Sequence, residues 1–83
     1  MNKKELTLLV LINAEGADDE ISALTIAEMT QLDGFTDVKA NTVYKIASGL
    51  SAQGYLSNGL MDGRAKSFYI TPSGKELIKQ YER

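Results

Sequence analysis

Within segment 38–55, VKANTVYKIASGLSAQGY, the apolar residues Val43, Ile46, Ala47 and Leu50 recur at i, i+3, i+4 and i+7. That spacing makes one helical stripe, and Gly54 is the residue that ends the helix. The opposite side is polar and carries Asn41, Thr42, Tyr44, Lys45, Ser48 and Ser51. Segment 3–14, KKELTLLVLINA, also predicts a helix, stopped by Gly16. Its apolar residues are spread too widely for one stripe: Leu6, Leu9 and Val10 lie on one side, Leu8, Leu11 and Ile12 on the other. Two apolar sides imply two packing partners, either a second copy of the chain on one of them or the same domain wrapped around both. A buried strand over Thr7–Ile12 competes for the same residues, but the length of the segment and the Lys and Glu in front of it favour a helix.

The remaining elements are marked by their ends. Thr25-Ile-Ala-Glu28 is a capping box, in which the Thr25 hydroxyl and the Glu28 carboxylate each accept from the other's backbone N–H. A helix therefore starts near Thr25, with Ile26, Met29 and Leu32 inward and Asp33-Gly34 as its stop. Ile21–Leu24 before it reads as a short strand, and Phe35–Asp37 after it as a turn. Beyond Gly54 the period changes to that of two extended runs, 55–61 and 66–71, joined by Asp62-Gly63-Arg64-Ala65. Asp-Gly between such runs signals a tight hairpin with Arg64 and Lys66 at its tip. Thr71-Pro72 then gives an N-cap and a first-turn proline, opening a last helix with Leu77, Ile78 and Tyr81. The order helix, short strand, helix, helix, strand, strand, helix is that of a winged helix-turn-helix, a mainly α (α+β) fold with a small antiparallel β wing, filling 1–83 as a single domain.

Eighty-three residues support one modest core and no separate catalytic domain. The chain has neither Cys nor His, which removes thiol, imidazole and the usual zinc chemistry. An enzyme is the class least expected, and no cofactor or metal is implied. The longest apolar run, Leu8–Ile12, is far too short for a bilayer and no cleavable signal follows Met1, so a cytoplasmic protein without a membrane partner is expected. Net charge is −2, unevenly placed: residues 1–37 hold two Lys against eight acids, and residues 38–75 hold five basic groups against Asp62 alone. A basic half on an acidic chain suits one phosphate-facing surface; chance clustering on a solvated face is the other reading. The acidic run Ala17–Glu20 reads as a solvated loop.

The run NTVYKIASGLSAQGYL resembles the TLYxxLxxLxxxGxI segment of PadR-type regulators, and GRAKSFYITPSG resembles their GRxRKxYxLTxxG wing. Together these motifs cover roughly residues 22–77, and MarR-like repressors share a looser version. The sequence departs from the pattern in having Phe68 where the family has Tyr and Gly49 inside the polar helix. PadR-type proteins also continue into long C-terminal dimerisation helices where this sequence stops at Arg83, so ligand sensing through such helices is not expected.

The resemblance and the polar helix imply a sequence-specific regulator of transcription, a repressor, bound to double-stranded DNA. The polar helix would lie in the major groove and the basic wing on the adjacent minor groove or backbone. Asn41, Thr42 and Tyr44 are the candidates for base edges or phosphate, with Lys39, Lys45, Arg64 and Lys66 on phosphate. Asn41 has a second reading as a local cap of the helix. A homodimer is expected through Leu6, Leu9, Val10, Ile78 and Tyr81. The alternative function is a winged-helix adaptor or antirepressor that binds another protein through its acidic N-terminal half.

Overall fold

The computed structural model describes residues 1–61 and 65–82. The elements are α1 (Lys3–Ala14), β1 (Leu24–Thr25), α2 (Ile26–Met29), α3 (Ala40–Ala52), β2 (Leu56–Asn58), β3 (Ser67–Ile70) and α4 (Pro72–Tyr81). This is the expected winged-helix order. The sheet runs β1-β3-β2, all antiparallel, with Leu24 opposite Phe68 and Leu56 opposite Ile70. The turn joining β2 to β3, Asp62-Gly63-Arg64, lies outside the described residues.

Caps set most of the helix limits. Asn2 and Glu5 form a capping box on α1, with Asn2 Oδ1 accepting from the Glu5 N–H at 2.8 Å and Glu5 Oε1 from the Asn2 N–H at 3.0 Å. Thr25 and Glu28 form the second box, on α2. Thr71 caps α4: its hydroxyl accepts from the Gly74 N–H and donates to the Gly54 carbonyl at 2.6 Å, tying the end of α3 to the start of α4. Gly16, Gly34 and Gly54 all have positive φ and stop the preceding segments.

Two elements differ from expectation. The second helix is four residues long instead of reaching Asp33, and 30–38 follows as a series of turns. Those turns are held by Phe35, whose side chain is fully buried, so the ring dictates the path that helical periodicity would otherwise have continued. The first strand is Leu24–Thr25, not Ile21–Leu24, because Ile21 and Ser22 lie in a turn whose N–H groups are taken by Asp19 Oδ1, and pairing with β3 begins at Leu24.

Leu8, Leu9, Ile12, Met29, Phe35, Val43, Leu50, Leu56, Phe68, Ile70 and Ile78 make the core, with Ile46 and Leu77 packed partly against it. α1 runs through its middle, touching α3, α4 and β3. This surrounds the helix and corrects two expected dimer residues: Leu9 on α1 and Ile78 on α4 are inside the protomer, each filling space between elements, and neither can face a second copy. Val10 and Tyr81 remain exposed and Leu6 is half-buried.

Gly49 has no backbone demand. It sits in the interior of α3, and a Cβ built there meets nothing within 4 Å. Gly49→Ala is therefore expected to raise stability by about 0.5–1 kcal/mol, by restricting the unfolded chain and improving helix propensity, without changing any contact. Chemical denaturation with an unchanged m-value would show it; a destabilised variant would mean the position is constrained in some other way.

Candidate nucleic-acid interface

α3 presents its buried stripe, Val43, Ala47 and Leu50, to the core and leaves its polar side in solvent. Asn41, Thr42, Tyr44 and Lys45 are all exposed there, with Ser48 half-buried one turn on. Lys39 is the N-cap and supplies no side-chain cap, and Asn41 lies inside the first turn. Asn41 is thus not the N-cap residue, and its side chain is exposed.

The wing reaches this face through Lys66. Lys66 Nζ donates to Tyr44 Oη at 3.2 Å and stands 5.5 Å from the centre of the Tyr44 ring. The Tyr44 hydroxyl is thus engaged by the wing lysine. The Ser48 hydroxyl first, and then Lys66 by hydrogen bond and charge, hold the Tyr44 phenol below its usual pKa. As pH rises, a negative charge therefore forms on this face earlier than an isolated tyrosine would give it. Arg64, the other expected wing cation, lies outside the described residues.

Lys39, Asn41, Thr42, Tyr44 and Lys45 are exposed along the first turns of α3, and Lys66 meets this helix at Tyr44. Short polar side chains on the first turn of a helix, flanked by lysines, can meet base edges and phosphate oxygens together. Among the described residues no group of three or more acidic side chains is placed to hold a metal ion. No helix there is long and apolar enough to cross a membrane.

The architecture is a winged helix, four helices with a small three-stranded antiparallel sheet, and solved proteins share this fold. MepR of Staphylococcus aureus superposes with a TM-score of 0.78 at 17% identity, covering 99% of this chain and 56% of that one, and a MepR–DNA complex superposes equally well. MarR of E. coli gives 0.77 at 16% identity, over 96% of this chain and 54% of its own. The chain spans about half the length of these two proteins. Over nearly its whole length it is similar to the DNA-binding protein TubR of Clostridium botulinum C phage, 28% identical over 79 residues, or 95% of this chain and 94% of that one. The solution structure of the DNA-binding TubR fragment from Clostridium botulinum superposes with a TM-score of 0.74 at 25% identity, over 98% of this chain and 96% of that one. No family model matches the chain.

Proposed function

We propose that this protein is a sequence-specific regulator of transcription that binds double-stranded DNA, with α3 in the major groove and the wing along the adjacent minor groove or phosphate backbone. The observation that carries the reading is the joining of the polar face of α3 to a wing lysine through Tyr44 and Lys66. The similarity to a DNA-binding protein over almost the full chain supports it. Asn41 and Thr42 read base edges, Tyr44 reaches a base edge or phosphate, and Lys39, Lys45, Lys66 and Arg64 engage phosphates. The PadR-type reading rests on the two motif segments alone. Binding over a promoter would repress, in the cytoplasm, with neither metal nor cofactor required.

A dimer completes the proposal. The exposed Val10 and Tyr81 and the half-buried Leu6 sit on α1 and α4, which pack against each other. Two-fold pairing there would present two copies of α3 to one duplex.

Fluorescence anisotropy with duplex DNA, first of random and then of selected sequence, tests the reading. Log affinity should fall linearly with log salt, and Lys66→Ala should make that slope shallower by about 1 unit at all sequences alike. An unchanged slope would remove the wing from the interface. Absence of any duplex binding at low salt would overturn the DNA reading in favour of a protein-interaction module.

A further inference from the structure

Lys66 and Ser67 are adjacent and look opposite ways. Lys66 meets Tyr44 on α3, while the Ser67 hydroxyl donates to the Leu60 carbonyl at 3.1 Å on the other side. On that other side three large apolar side chains stand in solvent: Ile21 is 87% exposed, Leu60 61% and Met61 59%. They share one groove with Ala23, and Glu20 and Glu28 also line it. Among the described residues no basic side chain lines it.

The groove is rigidly framed. Asp19 Oδ1 accepts from the N–H groups of Ile21 and Ser22 and from the Ser22 hydroxyl, at 2.8 to 3.0 Å. The Leu60 N–H donates to the Glu20 carbonyl at 3.2 Å. Gly59 is apposed so closely to Ala23 and Ser67 that a Cβ there would overlap both. Glu28 Oε1 is fixed by the Thr25 N–H and hydroxyl. These bonds hold Ile21 outward on a built turn. Clustered apolar side chains kept in water by such a frame mark a contact surface.

The acidic lining selects the occupant. Phosphate is repelled by Glu20 and Glu28, and a second copy meeting this groove face to face would set carboxylate against carboxylate. We propose that the groove of Ile21, Leu60 and Met61 docks a basic amphipathic segment of a partner protein, whose apolar side chains cover these three while its Lys or Arg groups meet Glu20 and Glu28. Because the groove and the Tyr44–Lys66 contact lie on opposite sides of the wing, a DNA-bound protein can still present it.

The probes are three synthetic peptides: an amphipathic Leu/Lys helix, the same peptide with Glu for every Lys, and the same with Ser for every Leu. In an amide NMR titration of the whole chain, the Leu/Lys peptide alone should move the signals of Ile21, Ser22, Gly59 and Leu60. Ile21→Ser, Leu60→Ser and Glu20→Lys should each weaken it about tenfold or more. The two uncharged variants, Ile21→Ser and Leu60→Ser, should bind duplex DNA as the parent does. Equal binding of the Leu/Glu or Ser/Lys peptide, shifts located elsewhere, or no effect of Ile21→Ser would overturn the proposal. Self-association of the parent that Ile21→Ser abolishes would assign the groove to a second copy and overturn it as well. Duplex binding measured on the same samples keeps the two readings separate, since loss of DNA binding with peptide binding intact strikes only the former.

Discussion

Replacing Asn41 with alanine should weaken binding to a selected DNA site by about 1–3 kcal/mol, roughly 5- to 150-fold, while binding to unrelated duplex barely changes. The asymmetry follows from where the residue stands. Asn41 is exposed in the first turn of α3 while Lys39 occupies the N-cap, so the amide has no structural duty to the helix start. An amide of this kind can donate to and accept from one adenine edge, and truncation removes both bonds without removing charge. The melting temperature of the variant should stay close to that of the parent. If specific and nonspecific affinities fell together, with a lower melting temperature, Asn41 would be a structural residue and base reading would have to be sought at Thr42 and Tyr44.

A charge introduced on α1 should have a larger effect by another route. In light scattering at micromolar concentration we expect a mass near twice the 9.1 kDa of the single chain, and Val10→Glu should return it to one. Tethering two modules raises apparent affinity by about 10²- to 10⁴-fold without any new contact, so the variant should lose a corresponding part of its affinity for a two-half-site operator. It should keep its affinity for one half-site. Two-fold pairing would also set the recognition helices about 34–36 Å apart and make the operator an inverted repeat. A mass that stays near 9.1 kDa as concentration rises would sink the dimer. Val10 serves here because it is 39% exposed, whereas Leu9 is wholly buried and a charge there would unfold the domain instead of separating two copies.

Features written into short stretches of chain were legible in the sequence. Thr25 with Glu28, Thr71 with Pro72, and Gly16 and Gly54 as stops all act within a few residues, and the structure places them where the sequence did. The same local code stands at Asn2 and Glu5, three apart and ahead of an apolar run, and agrees with the start at Lys3 that the apolar pattern predicts. The outward face of α3 was legible because its buried stripe defines the remainder. Long-range packing was not. Leu6, Leu9 and Val10 share one side of a helical wheel, yet Leu9 turns into the core because α1 is enclosed by α3, α4 and β3. Phe35 looked like part of a turn and is an anchor of the core. The Tyr44–Lys66 contact joins residues 22 apart in sequence, and no spacing rule predicts it. Ile21 was read into a strand, where its side chain would have been half-covered; the Asp19 turn sends it into solvent instead.

The partner chosen for Lys66 bears on what happens when phosphate arrives. A surface lysine is commonly steadied by a carboxylate, and an approaching anion must then displace one negative charge before it gains anything from the positive one. Here the steadying group is the Tyr44 phenol, which accepts one hydrogen bond from the ammonium. This contact aims the ammonium without neutralising it. A phosphate can therefore join Tyr44 around the same nitrogen, which has three protons to share, instead of competing for it.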